Sequence, residues 1–302
     1  MKKFFLSISL FCGLASLAFA GDGAGSIAMP FVEIPRNSVA LAEGGTRLCR
    51  PSSMSYGAFE NIAALPFSPS KMDFSVSYQK WAPKQVDETF ISFGTGARLG
   101  KLGLALSGSL GNHQPYTEYR EGGFEGTKFT PKDLVIGLGA AYGITDAIGV
   151  GVSAKYLSNT LASSASYTAF SVDVLGYGQF GPVAVGAGVR NIGSKVKSYS
   201  GTAYSLPMAV SAGAAYDSEI GVGAAMDADV YLGGGFDLGL GAHYCWNDMV
   251  SVRAGYHLGA VLPSFFAVGA GFQFFGVHLD ATYVVAPALA SGGLCVGLGY
   301  RF

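Results

Sequence analysis

The residues best able to support chemistry are three histidines and four aspartates in the last third of the chain, namely His243, His257, His278, Asp227, Asp229, Asp237 and Asp280. Imidazole and carboxylate groups are common metal ligands. The alternating segments around these residues place all seven on one face, so a metal site is one interpretation. The other is a charge-balanced polar network, which we favour because the same face carries five cations to balance the four aspartates, namely Arg98, Lys155, Arg190, Arg253 and Arg301.

Serines on the same face offer no comparable signal for catalysis. Ser107, Ser153 and Ser211 lie in glycine-rich stretches without a recognisable histidine and carboxylate partner. Gly137-Leu138-Gly139 is not followed by a helix, so it does not predict a phosphate-binding loop. With a formal net charge of -1, the chain has no electrostatic case for nucleic acid as a partner. We therefore expect no enzyme activity and no cofactor.

The chain after residue 20 has three cysteines, Cys49, Cys245 and Cys295. An odd number leaves at least one thiol unpaired, even on an oxidising export route. Cys49 could form a disulfide with one of the other two cysteines. The alternative, which we favour, is that the thiols are free and buried.

The elements that would position these residues are strands of strictly alternating character. In the segment 249–258, apolar residues such as Val250 and Val252 alternate with Ser251 and Arg253. About fourteen such segments occur, and an even number of apolar-out, polar-in strands predicts an all-β, transmembrane antiparallel barrel. They lie near residues 72–79, 88–98, 101–110, 133–143, 148–157, 168–180, 183–190, 207–216, 221–231, 235–244, 249–258, 265–274, 276–285 and 293–302.

The breaks between these segments alternate in length. Every second break is short, as at Gly100 and Gly181-Pro182, while the others include longer polar stretches at 111–132, 158–167, 191–206 and 286–292. Short periplasmic turns and long external loops are typical of outer-membrane barrels, and this order puts both ends of the barrel chain on the periplasmic side. Tyrosines near the strand ends are typical of the aromatic girdles at the membrane–water interfaces. The tyrosines in question are Tyr78, Tyr142, Tyr156, Tyr216, Tyr231, Tyr244, Tyr283 and Tyr300.

Both ends of the chain predict export to a bacterial outer membrane. Residues 1–20 read as a signal peptide, with Lys2, Lys3, an apolar stretch and Ala18-Phe19-Ala20 before cleavage at Gly21. The remaining chain has no apolar run near the ~20 residues that a spanning helix needs. Charged residues make up only 13% of the sequence, whereas soluble domains carry about 25%. The alternating segment 297–302, which ends in Phe302, is similar to an outer-membrane assembly signal. We therefore expect membrane lipid to surround the barrel.

Residues 21–71 precede the barrel pattern of 72–302 and form a separate segment. They are rich in proline, and Ser38 begins a run that predicts a short helix ended by Gly44-Gly45. The segment is either a periplasmic tail or a plug inside the barrel, and its apolar content favours the plug. Paired inward glycines on many strands would leave room for it, and they are Gly137, Gly139, Gly149, Gly151, Gly186, Gly188, Gly239, Gly241, Gly269, Gly271, Gly297 and Gly299.

Several stretches in a fixed order resemble the PorV/PorQ family of outer-membrane proteins, which are relatives of FadL-type barrels. The opening stretch 34–45, residues 61–65 in the place of an Asn-Pro-Ala-x-Leu motif, and the first strand at 75–81 carry the resemblance. Later stretches at 133–139, 151–156 and 189–193 follow in the family's order. Ile62 replaces the proline of the motif, which puts the rigidity of that turn in doubt.

The resemblance implies a fourteen-stranded barrel with an N-terminal plug and a role in type IX protein secretion or surface attachment. The partners it implies are type IX secretion components or the C-terminal domains of cargo proteins. They would engage the long connections, above all 111–132 and 191–206. The alternative function is a FadL-like channel for hydrophobic small molecules. Because the inward residues are assigned as small and polar, the sequence argues against an apolar passage.

Overall fold

The structure, a computed structural model, describes residues 27–50, 54–81, 87–119, 125–198, 201–286 and 291–302. The expected signal peptide, 1–20, and its cleavage site lie outside these residues. Within the described ranges, no helix is both long enough and apolar enough to cross a membrane.

The strands form one closed antiparallel barrel of fourteen members, which confirms the predicted fold class. The first and last strands close it, with Asp73 opposite Arg301 and Lys80 opposite Leu294. The barrel strands are β1 (Met72–Trp81), β2 (Glu88–Leu99), β3 (Leu102–Asn112), β6 (Lys132–Gly143), β7 (Ile148–Ala162), β8 (Ala165–Phe180), β9 (Val183–Gly193), β12 (Ala209–Asp217), β13 (Val222–Tyr231), β14 (Phe236–Trp246), β15 (Val250–Leu258), β16 (Phe265–Phe274), β17 (Val277–Ala286) and β18 (Ser291–Arg301).

Side chains alternate between the lumen and the outer face as the sequence pattern predicts. On β17, His278 and Asp280 are buried, whereas Val277 and Leu279 are exposed. The outer face is a band of exposed Val, Leu, Ile, Phe and Tyr side chains, as a lipid-facing surface requires. Tyr231 is the exception among the predicted girdle tyrosines, because it is buried and donates a hydrogen bond to Asp237.

The barrel has a turn end, where short turns join the strands, and a loop end with the longer connections. The turns span 100–101, 144–147, 181–182, 218–221, 247–249 and 275–276, close to the predicted short breaks. At the loop end, two hairpins extend the barrel: β4 (Tyr116–Tyr119) with β5 (Glu125–Phe129), and β10 (Val196–Lys197) with β11 (Ala203–Tyr204). The prediction of a long connection at 158–167 is wrong, because β7 and β8 continue to pair there, with Asn159 opposite Tyr167.

Residues 27–50 and 54–71, the plug, lie inside the barrel. Ile27 bridges to Ser205 at the loop end, and the amide of Lys71 donates to Phe302 O at the turn end. The predicted helix is α1 (Ser38–Ala42), which begins where Asn37 accepts a hydrogen bond from the amide of Ala40. Short 3-10 helices make up the other regular structure of its described residues, and they are Pro30–Glu33, Met54–Tyr56 and Ile62–Phe67.

Inward glycines provide the space for the plug, as predicted. A Cβ atom at Gly241 would lie 2.5 Å from the Glu43 Cβ, and one at Gly139 would lie 2.8 Å from Ile62. Both distances are too short, so a side chain at either position would push the plug away from the wall. Three of the predicted glycines, Gly188, Gly271 and Gly299, instead contact neighbouring wall residues, so the prediction is wrong for them.

Candidate functional site

Large apolar side chains fill the lumen near the loop end and form what we call the loop-end cluster. Its wall and loop members are Trp81, Phe90, Val135, Leu157, Ala169, Leu206, Leu262, Phe265, Ala267, Val284, Ala286 and Cys295, and its plug members are Met29, Phe31, Ile34 and Leu41. The Trp81 and Phe265 rings meet edge to face with centroids 5.6 Å apart. The expectation of a small and polar inner face is therefore wrong at this level of the barrel.

The strand alternation that the sequence displays could have revealed this cluster. Phe90 and Phe265 are inward-facing by the same alternation that turns Ile91 and Phe266 outward. Nearer the turn end the wall contributes mainly small side chains, such as Ala105 and Ala141, and the plug supplies the bulk through Ile62. Among the described residues, the wall therefore contributes most of its large apolar side chains at the loop end, with Leu175 and Tyr177 as additions nearer the turn end.

A buried ionic layer fastens the plug to the wall next to the loop-end cluster. Glu33 of the plug receives Arg190 Nη2 at 2.9 Å and also pairs with Arg47. Arg190 Nη1 lies 3.2 Å from Asp229. Burial alone would raise the pKa of Glu33, but the charges of Arg190 and Arg47 outweigh it and lower that pKa to about 2. Glu33 is therefore a carboxylate that joins Arg190 of the wall to Arg47 of the plug.

A β-bulge shapes the wall beside this layer. The pairing of β8 with β9 shifts register between Val172 and Val174, and Asn191 adopts a left-handed backbone conformation with φ 53°. Asp173 accepts a hydrogen bond from the Asn191 amide at 2.7 Å and pairs with Lys155 at 2.7 Å. The bulge turns the Asn191 side chain into the lumen, where it donates to Glu33.

The predicted acidic residues divide into two groups. Asp280 pairs with Arg253 at 2.7 Å and Asp229 with Arg190, which confirms those parts of the expected network. Asp227 and Asp237 instead accept hydrogen bonds from backbone amides, including that of Leu48 at 2.7 Å and that of Ala260 at 2.6 Å respectively. The prediction that these two would pair with arginine or lysine side chains is wrong, although His257 Nε2 lies 3.5 Å from Asp237.

Each predicted histidine contacts a different part of the lumen. His243 Nδ1 lies 3.1 Å from Glu43 and 2.9 Å from Arg50, both in the plug. His257 Nδ1 lies 3.2 Å from Gly44 O, and His278 Nε2 lies 3.3 Å from Ser75 Oγ. Within the described ranges, no group of three or more His, Cys, Asp or Glu side chains has the geometry to hold a metal ion.

Two polar cavities flank Arg50 near the turn end. One has a volume of about 200 Å³ and is lined by Glu43, His243 and Asp280, among others. The second has a volume of about 240 Å³ and reaches Cys49 and Asp217. Arg50 separates them.

Arg50 also binds plug to wall. It pairs with Glu43 at 2.7 Å and Asp217 at 3.0 Å, and it donates to two strand carbonyls. These contacts make Arg50 the plug's main attachment between the two cavities.

The cysteines and serines have structural environments. Cys49, Cys245 and Cys295 are free in the structure, so the alternative of a disulfide from Cys49 is not realised there. Burial raises the pKa of the Cys49 thiol, which keeps it protonated at neutral pH. Ser107 Oγ donates to the plug carbonyl of Ser55 at 2.7 Å, and Ser211 Oγ donates to Asp229.

Neither a family model nor a curated protein matches the sequence, so the resemblance to the PorV/PorQ family has no further support. Solved structures do match. The toluene transporter TbuX of Ralstonia pickettii has a TM-score of 0.64 at 13% identity, over 90% of this chain and 100% of that one. The toluene transporter TodX of Pseudomonas putida has a TM-score of 0.63 at 11% identity, over 88% and 97% of the two chains.

A FadL homologue of Pseudomonas aeruginosa gives a TM-score of 0.57 at 12% identity, over 89% of this chain and 99% of that one. Identities this low carry information about the fold alone. The chain has the fold of the FadL-type outer-membrane barrels.

Proposed function

We propose that this protein lies in the bacterial outer membrane and passes small hydrophobic molecules across it. The observation that carries the proposal is the loop-end cluster, where the wall presents Trp81, Phe90 and Phe265 to the lumen. An apolar molecule that buries roughly 200 Å² there would gain about 5 kcal/mol from leaving water. The proposal agrees with two of the structural neighbours, which are toluene transporters.

In this proposal the loop end faces the outside of the cell and captures the ligand. Phe31 and Ile34 of the plug occupy part of the cluster, so an entering molecule takes over apolar contacts that the plug makes. Passage towards the turn end then requires the plug to shift past the ionic layer around Glu33. The polar cavities on either side of Arg50 are the exit on the periplasmic side.

Uptake of labelled toluene tests the proposal, in a bacterial host without hydrophobic channels of its own. Expression of this protein should raise the initial rate of uptake. Leu262→Asn should lower that rate severalfold because it places an amide in the loop-end cluster, where Leu262 is buried. Leu232→Asn is the matched control, since Leu232 is exposed. Uptake no faster than in the empty host would refute the proposal.

A role in type IX secretion or surface attachment is the second candidate, and the loop-end hairpin β4–β5 is the observation that favours it. Tyr116 and Tyr119 are exposed on this hairpin, and Tyr116 donates a hydrogen bond to Leu161 O that braces it against β7. Aromatic side chains on a braced hairpin suit protein binding. Affinity purification from native membranes should then recover secretion components or cargo domains. If the Tyr119→Ser variant recovers as much of them as the wild-type protein does, this role is contradicted.

A further inference from the structure

Two buried polar side chains beside the loop-end cluster carry atoms without a hydrogen-bond partner. Both amide atoms of Gln79 are unpartnered among the described residues, and so is Nη1 of Arg36. Gln79 is 1% exposed and Arg36 5% exposed, so water does not replace the missing partners at the surface. Native proteins rarely leave such groups unsatisfied, because each costs about 1–3 kcal/mol.

Both residues are neighbours of Phe90. The Arg36 guanidinium carbon lies 4.4 Å from the centroid of Phe90. Gln79 pairs with Phe90 across β1 and β2, and with Cys295 across β1 and β18. Ser77, two residues before Gln79 on the same face, donates a hydrogen bond to the Arg36 carbonyl. Arg36 and Gln79 therefore lie near the same aromatic ring, beside the loop-end cluster.

The nearby acids are already engaged. His113 Nδ1 lies 3.2 Å from Glu88, and His113 Nε2 lies 2.8 Å from Asp133. Arg36 and His113 balance the charges of Glu88 and Asp133, so an added carboxylate would be a third anion without a compensating cation. A neutral group fits better. A hydroxyl can accept a hydrogen bond from Arg36 and donate one to the Gln79 amide, whichever way that amide is oriented.

We propose that Arg36 and Gln79 form the polar end of the ligand site and select hydrophobic molecules that carry a hydroxyl group over the corresponding hydrocarbons. This inference rests on the proposed function. Arg36 Nη2 also donates to the Phe31 carbonyl, which holds the turn Pro30–Glu33 against the cluster. A ligand that binds Arg36 thus contacts the residue that anchors this part of the plug.

The test uses Trp81 as a reporter of binding in the full-length protein in detergent. The chain has two tryptophans, so Trp246→Phe leaves Trp81 as the reporter, and Trp246 is exposed on the outer face. We titrate with 4-butylcyclohexanol and with butylcyclohexane, which differ in the hydroxyl alone. The alcohol should bind on the order of tenfold more tightly.

Gln79→Leu should bring the ratio of the two affinities close to one while the hydrocarbon binds as before. It should not lower the unfolding temperature, because it removes buried polar atoms without partners. Gln273→Leu, at an exposed position of β16, should keep the original ratio. An unchanged ratio in Gln79→Leu, or an equal loss of both affinities, would overturn the inference and leave the proposed function standing. If neither probe binds, both this inference and the proposed function are overturned.

Discussion

Arg190 of strand β9 and Glu33 of the plug form a fully buried ion pair, with Nη2 and Oε2 2.9 Å apart. The two residues are 157 positions apart in the chain. Arg47, from the plug itself, shares the same carboxylate. Removing one member of such a pair leaves an uncompensated charge in the interior, which makes the pair an energetic link between plug and wall.

Loss of the Glu33 charge should loosen the plug. Glu33→Gln leaves the two buried cations Arg190 and Arg47 with one shared carboxylate, Asp229, instead of two, so we expect about 3–5 kcal/mol less stability against denaturant. The same variant should raise the ionic conductance of single barrels in planar bilayers. Glu219→Gln, at an exposed position of the turn 218–221, is the control and should change neither quantity.

Acid should weaken the same link. The pKa of Glu33 falls from 4.5 to about 2 on folding, so its stabilisation is present above pH 4.5 and is lost as the pH falls towards 2. Between those limits, the wild-type protein should lose roughly 3 kcal/mol more than Glu33→Gln does. Denaturant melts of both proteins across this pH range provide the measurement, and parallel curves would contradict the assignment.

His113 should stay charged well above neutral pH. The hydrogen bond that His113 makes with Asp133, and the smaller contribution of its hydrogen bond with Glu88, raise its pKa from 6.5 to about 10. Its contribution to stability is therefore complete below pH 6.5 and is lost as the pH rises through 10. NMR titration of the imidazole protons should give this raised pKa, and Asp133→Asn should move it back towards 6.5. A wild-type midpoint near 6.5 would show that the carboxylates do not hold the ring.

Glycine positions should differ according to whether they contact the plug. Gly241→Ala would bring a Cβ within 2.5 Å of the Glu43 Cβ, so it should cost about 1–3 kcal/mol of stability. Gly176→Ala, whose Cβ would meet its nearest atom at 3.7 Å, should change stability by less than about 0.5 kcal/mol. Thermal melts compare the two directly. Equal effects would argue that the plug does not rest on Gly241.

Strand alternation made much of the barrel predictable from sequence. His278 and Asp280 face inward beside outward Val277 and Leu279, as their spacing requires. Alternation also assigns Phe90 to the lumen, and a side chain this large predicts an apolar lumen at the height of Phe90. The prediction for Tyr231 is wrong because this tyrosine, although near a strand end, has a position in the alternation that turns it inward.

The contacts between plug and wall could not be predicted in the same way. The partners of Asp227 are backbone amides of Arg47 and Leu48, and amides carry no sequence signal. The bulge that brings Asn191 to Glu33 depends on a local register shift in the pairing of β8 with β9. Periodicity within a strand gives a residue's face but not which distant segment lies opposite.

The most direct test of the account is toluene uptake by a barrel whose plug can be fastened at the loop end. Ile27 and Ser205 are bridge partners, so Ile27→Cys with Ser205→Cys should form a cross-link under oxidation. The single Ile27→Cys variant controls for the thiol. If hydrophobic molecules enter through the loop-end cluster by displacing the plug, oxidation should stop uptake in the double variant and reduction should restore it. Equal uptake in the oxidised and reduced double variant would contradict the account.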